Sequence, residues 1–285
     1  PKPELRQSLA ASVAGFLLLI LPKNILRLNM SNHSHTSQSP LIIAHRGESS
    51  EAPENTISAI NLAWESGADG VEIDVHLTKD NQIVVIHNSR TKLISGKRFR
   101  IKSSTLENLK SLDIGRTIGK KYYSERIPTL NEVLLNVPPS KYIFIEIKCG
   151  VEIIPYLNQV LKHAHLSMDQ IKIIGFGFNK MTEIKINFPE YEVFLNRRIS
   201  LGKVFTRRSY WQNLIIKLEQ SLLDGLNLSY TKSFNIKLVE MLKLNKLKIF
   251  IWTVNNPKKA LRLISLGVDG FTSDRSGWIR KEVKL

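Results

Sequence analysis

The chain has 285 residues, enough for one large α/β barrel or two small domains, and its 42% apolar side chains can build a sizeable core. Its formal net charge of +16 implies anionic partners, whether phosphate esters, an anionic membrane surface or nucleic acid, although a solvated basic surface carries the same charge. The single cysteine, Cys149, excludes an intrachain disulfide and a thiolate-rich metal site.

At the N-terminus, Lys2 and Arg6 precede an apolar run from Leu9 to Leu21, the anatomy of an export or anchor segment. A spanning helix needs roughly 20 residues, and this run is shorter. A second reading starts the native protein at Met30. The stretch from Ser31 to Pro40 is polar and reads as a linker. The expected organisation is an apolar segment and linker over residues 1–40 and one domain over residues 41–285. The expected location is cytoplasmic or membrane-associated, with export if the first 29 residues are a true signal.

From residue 41 strands and helices alternate. Leu41–Ala44 reads as a strand, and residues 55–66 as a helix with Ile57, Ile60, Ala63 and Trp64 on one face, closed by Gly67. Gly70–Val75 is the next strand. The link to Ile83–His87 is too short for a parallel crossover, so the two form a hairpin. Pairing Thr78 with Ile83 sets Asp74 opposite His87. An irregular basic stretch follows, then helices over 105–112 and 130–136, the latter capped by Thr129. Further strands are expected at 142–147, 171–176, 192–195, 225–228, 248–253 and 270–272, with clear helical patterns at 237–244 and 258–266. With the hairpin's return arm set apart, eight parallel strands remain, which points to a (β/α)₈ TIM-type barrel with a small hairpin and irregular insertion after the second strand.

The chemistry concentrates in two stretches. Ile42-Ile43-Ala44 runs straight into His45-Arg46-Gly47. Gly70-Val71 runs into Glu72-Ile73-Asp74, and Glu72 and Asp74, two apart on a strand, share a face. Two carboxylates side by side repel unless one is protonated or a cation lies between them. Glu146, at the end of an apolar run, is a third. Three converging carboxylates make a hard-oxygen site for Mg²⁺ or Ca²⁺, and the alternative is that Glu72 and Asp74 salt-bridge to Arg46 and Lys148. His45 and His87 can exchange protons near neutral pH, with His76 as a weaker candidate. Arg46 and Lys148 are candidate phosphate clamps. Gly47 would let the backbone approach a ligand closely. Glu54 and Asn55 would cap a helix.

These stretches, His45-Arg46-Gly47, Pro53-Glu54-Asn55-Thr56, Glu72-Ile73-Asp74-Val75-His76-Leu77-Thr78-Lys79-Asp80 and His87-Asn88, resemble the glycerophosphodiester phosphodiesterase family, with Asn88 where that family has Asp. Ile251-Trp252-Thr253-Val254-Asn255 and the run from Gly267 to Asp274 resemble its last two strand ends. The resemblance covers roughly residues 41–280 and is weakest over 176–224. It implies metal-dependent hydrolysis of glycerophosphodiesters to glycerol 3-phosphate and an alcohol. Glu72, Asp74 and Glu146 would hold the cation, and His45 and His87 would act as the acid–base pair. Arg46, Lys148, Glu54 and Trp252 would face the substrate, with Trp252 lining the alcohol pocket and Asn255 at its rim. Asp274 is given no catalytic role. Attack by water or by the glycerol 2-hydroxyl is equally consistent. A lysophospholipase D-type activity and a non-catalytic phosphodiester-binding barrel are the rival readings. Membrane association through the N-terminal segment is the one macromolecular contact expected, and no aromatic-basic motif supports a nucleic-acid partner.

Overall fold

The computed structural model describes residues 39–116, 118–199 and 207–285. The apolar segment, Met30 and most of the linker lie outside them. Nine strands alternate with ten helices among the described residues. In chain order they are β1 (Leu41–His45), α1 (Ile57–Glu65), β2 (Gly70–Leu77), β3 (Ile83–Val85), α2 (Lys92–Ser95), α3 (Leu106–Lys110), α4 (Leu130–Leu134) and β4 (Tyr142–Ile147). Then come α5 (Ile154–Lys162), β5 (Ile171–Gly175), α6 (Phe178–Asn187), β6 (Glu192–Arg197), α7 (Arg208–Gln220) and β7 (Gly225–Ser229). The chain closes with α8 (Ile236–Leu244), β8 (Lys248–Trp252), α9 (Pro257–Leu266), β9 (Gly270–Ser273) and α10 (Ser276–Val283).

The sheet runs β1-β9-β8-β7-β6-β5-β4-β2, and β1 also pairs with β2, so eight parallel strands close into the expected barrel. β3 is an antiparallel arm on β2. Apolar residues on both faces bury the middle of every barrel strand, as a parallel barrel covered by helices requires. Inside, Ile43, Phe144, Ile174, Phe194 and Phe250 fill the lumen, with Phe250 edge-on to Phe144 and Phe194 at 5.0 and 5.1 Å. Period two along each strand then carries His45 above Ile43, and Glu146 above Phe144. The candidate site side chains stand on an apolar plug at the C-terminal mouth.

Two local expectations are corrected. The first helix begins at Ile57, because Thr56 caps it by accepting from the Ala59 N–H, and Asn55 sits outside at φ 61°. The hairpin pairs Leu77 with Ile83, one residue off the expected register. The Thr78 side chain accepts from the Gln82 N–H and closes a tighter turn, so Thr78 faces Gln82. Asp74 therefore meets Ile86, whose N–H donates to its carbonyl at 2.8 Å, and His87 follows one residue later.

Between β3 and α4 the insertion has its own small core of Ile86, Ile101, Leu109, Leu112, Ile114 and Ile127, joined to the barrel through Val84. Thr129 caps α4 as expected, in a reciprocal box with Glu132.

Candidate active site

Asp74 is the fixed point of the mouth. It is fully buried, and its backbone N–H donates to Asn55 Oδ1 at 3.0 Å while Asn55 Nδ2 donates to its Oδ2 at 2.9 Å. Arg46 Nε lies 3.0 Å from Asp74 Oδ2 and Lys148 Nζ 3.1 Å from Oδ1. Neither contact is an aligned hydrogen bond, so both act as charge contacts. Burial raises the Asp74 pKa, but Lys148, Arg46 and the Asn55 hydrogen bond outweigh it and hold the carboxyl below its ordinary range.

Arg46 reaches Asp74 because its backbone turns left-handed at φ 58°, which also aims its N–H at Glu72 Oε2, 3.1 Å away. Its Nη1 donates to Glu54 at 2.7 Å. Gly47 follows at φ 80°, and a Cβ there would lie 2.5 Å from the backbone of Ala59. Its glycine makes room for α1 rather than for a ligand.

Glu72 has fewer partners. Its Oε1 is buried with no hydrogen bond, and burial reinforced by Asp74 and Glu146 pushes its carboxyl well above the ordinary range. Burial likewise raises Glu146, although Lys148 donates to it at 2.9 Å. The expected salt bridging is present for Asp74, Glu146 pairs with Lys148 as well, and among the described residues no Lys or Arg lies within 4 Å of Glu72, whose nearest imidazole, His45, is 3.9 Å away. Glu72, Asp74 and Glu146 can each turn an oxygen to within 4.8 Å of the others. Hard oxygen donors, mutual repulsion and a partnerless buried oxygen fit a divalent cation.

His45 and His87 both line a cavity of about 170 Å³ above this triad, together with Arg46, Lys148 and Trp252. His45 Nδ1 bonds to Asp274 at 2.5 Å, which leaves Nε2 toward Glu72. Asp274 is itself held by Asn255, which donates through Nδ2 and accepts the Asp274 N–H at 2.9 Å. Asn255 is therefore a brace for Asp274, and Asp274, given no role from sequence, is the partner of His45. The signals for it were its place in the run from Gly267 to Asp274 and at the end of β9, beside β1. His87 Nδ1 lies 3.2 Å from Asn88 Oδ1, and burial depresses the His87 pKa. His76 Nε2 bonds the His87 carbonyl at 3.2 Å, so it braces the hairpin from outside the cavity lining.

Trp252 closes the far wall, donating to the Asn227 carbonyl at 3.1 Å. Phe176 meets its edge at 5.9 Å, and Arg198 lies over its ring at 5.9 Å. Phe176, Arg198 and Asn227 also line the cavity, and strand pattern alone did not single them out. A wider groove of about 1000 Å³ between α7 and α8 lies outside the barrel and gathers no acid–base pair.

Fold and mouth together define a (β/α)₈-barrel enzyme that gathers cations, carboxylates and imidazoles around one small cavity. Residues 45–278 match the model of the glycerophosphoryl diester phosphodiesterase family, and the chain belongs to that family. It is 36% identical over 248 residues to YhdW of Bacillus subtilis, covering 85% of this chain and 98% of that protein. A glycerophosphodiester phosphodiesterase of Caldanaerobacter subterraneus is 35% identical over 82% of this chain and 93% of its own length. An Oleispira antarctica phosphodiesterase, solved with its product sn-glycerol-3-phosphate, has a TM-score of 0.73 at 28% identity, covering 87% of this chain and 98% of that one.

Proposed function

We propose that this enzyme hydrolyses glycerophosphodiesters to glycerol 3-phosphate and an alcohol, with Mg²⁺ or Ca²⁺ held by Glu72, Asp74 and Glu146. The observation that carries the reading is the partnerless Glu72 oxygen beside Asp74 and Glu146, at the floor of a cavity lined by both histidines. The cation would polarise the phosphoryl oxygens and offset developing negative charge.

The chain's own groups supply the rest. His45 is the base: Asp274 fixes its Nδ1, orients the ring and stabilises the imidazolium formed when Nε2 takes a proton. That proton comes from water or from the glycerol 2-hydroxyl. His87 is the acid and gives its proton to the leaving alkoxide as the phosphorus–oxygen bond breaks. Arg46 and Lys148 remain available as clamps. Arg46 uses Nη1 on Glu54 and points Nε at Asp74, leaving Nη2; Lys148 donates one of its three protons to Glu146 and lies 3.1 Å from Asp74 as a charge contact. Trp252 and Phe176 form the wall against which the alcohol rests.

The test is hydrolysis of glycerophosphocholine by the purified chain before and after exhaustive chelation. Loss with chelator and recovery with Mg²⁺ or Ca²⁺ is expected, and full activity without a cation would sink the assignment. A second reading, cleavage of lysophospholipids, is supported by a neighbouring open hollow of about 450 Å³ lined by Phe176, Phe178 and Leu195 together with Asn196, Arg197 and Arg198. A human lysophospholipase D is 27% identical over 92% of this chain and 90% of its own length. Turnover of lysophosphatidylcholine alongside the soluble diester separates the two.

A further inference from the structure

The net charge is not spread evenly. Residues 88–126, within the insertion, hold eleven Lys and Arg against three Asp and Glu, a net +8 out of +16 on 39 of the 285 residues. Every basic side chain there is exposed except Lys110, which is half-buried and paired with Glu132. Of the exposed ones, only Lys102 has a described carboxylate within 4 Å, at 3.8 Å from Glu152. The same segment turns large apolar groups to solvent: Leu93 is 77% exposed, Ile118 53% and Tyr123 48%. Leu93 precedes Ile94, and Ile94 and Ile118 together line a recess that also touches His87 and Glu54. Ile118, one of the exposed apolar groups, therefore borders the catalytic mouth, and the basic side chains belong to the same insertion. The segment is fixed in place, since Tyr122 Oη donates to the Glu51 carbonyl at 2.7 Å and Gly115 packs against the Tyr122 backbone.

We propose that this insertion is an interfacial surface that seats the barrel mouth on an anionic phospholipid membrane. Clustered Lys and Arg are attracted to an anionic leaflet, and each contributes on its own. Exposed aliphatic side chains among them can enter the headgroup–acyl boundary, which supplies the second signal that stable binding needs. A nucleic acid would use the charge but not Leu93 or Ile118. A single strand would also need open aromatic faces for stacking, whereas Lys121 and Arg116 lie over the rings of Tyr122 and Tyr123 at 5.2 and 5.8 Å. The proposal does not depend on the assignment of the acid–base pair.

The experiment is co-sedimentation of the full chain with vesicles of phosphatidylcholine alone and of phosphatidylcholine mixed with phosphatidylglycerol. The expected result is binding that depends on phosphatidylglycerol and is released by salt. Lys97→Glu with Arg98→Glu, Lys120→Glu and Lys121→Glu should weaken it by about 10² or more. Leu93→Ser should weaken it by roughly tenfold. All variants keep residues 1–38, so vesicle binding that survives the charge reversal belongs elsewhere and overturns the proposal. Unchanged binding in Leu93→Ser, with duplex DNA competing as well as vesicles do, overturns it in favour of a general polyanion surface. Hydrolysis of soluble glycerophosphocholine should be unaltered in these variants, which reports their folding. If the fourfold variant misfolds, Lys120→Gln with Lys121→Gln asks the same question, with a loss of about tenfold expected.

Discussion

Asn88 is where the chain departs from its family, and the geometry makes that departure measurable. Its Oδ1 lies 3.2 Å from His87 Nδ1, so an aspartate in the same rotamer would set a negative charge at hydrogen-bond distance from the ring. In water-like screening, a unit charge at that distance interacts with the imidazolium by about 1.3 kcal/mol, or about one pKa unit. His87 is half-buried, so screening is weaker than in bulk water and one unit is the lower end. Burial now holds the His87 pKa below its ordinary value, and Asn88 offers a hydrogen bond without charge. In Asn88→Asp the imidazolium is favoured and the pKa rises. A general acid must be protonated before turnover, so activity is lost as pH rises through its pKa. The alkaline limb of kcat/KM against pH should therefore move up by about one unit in Asn88→Asp, at fixed cation concentration. A shift of the acidic limb instead would reverse the roles of the two histidines. Superimposable profiles would refute the argument, because they would mean that position 88 does not tune His87.

Glu72→Gln keeps the shape of the side chain and removes the charge of the carboxylate with fewest partners. Calorimetry should find cation affinity lowered by at least about tenfold with the fold intact, since ligand charge sets affinity at oxygen sites. His45→Ala and His87→Ala should each lower kcat by about 10² or more, while His76→Ala, outside the cavity lining, should be milder. Asp274→Asn should lower kcat by about 10² with little change in KM, because it disturbs the orientation and charge of His45 rather than substrate contacts. Gly47→Ala forces a Cβ to 2.5 Å from the Ala59 backbone at φ 80°, and thermal unfolding should show destabilisation of about 1–3 kcal/mol.

Strand periodicity carried much of the site. Period two put Glu72 and Asp74 on one face and raised His45 and Glu146 to the strand ends, and those four side chains meet in the structure. The barrel was legible for the same reason: apolar strands spaced by amphipathic helices leave few other ways to bury both faces. Pattern failed where the backbone leaves the two regular conformations. Arg46, Gly47 and Asn55 all have positive φ, and this left-handed turn swings Asn55 from a supposed helix cap into the Asp74 carboxylate. The hairpin slipped by one residue because a threonine side chain, not a strand preference, set the turn. Asp274 was missed because its partner is 229 residues away, and only closure of β9 against β1 brings the two together.

Charge placement explains why the site can be acidic and still face an anion. Asp74 lies between Arg46 and Lys148, which leaves the buried Glu72 and Glu146 with pKa values pushed upward, one of them with an unbonded oxygen. Such a pair favours taking up a proton or a cation, because buried carboxylates that share only Lys148 as a close cationic partner are costly. A bound cation would satisfy Glu72 and Glu146 and reverse the sign of the field at the cavity floor, while Arg46 and Lys148 keep unspent donors toward the opening. The structural salt bridges and the proposed phosphate-binding role are then two uses of the same two side chains. Asp74, buried behind them and gripped by Asn55 at its backbone N–H and at Oδ2, holds Arg46 and Lys148 where both uses meet.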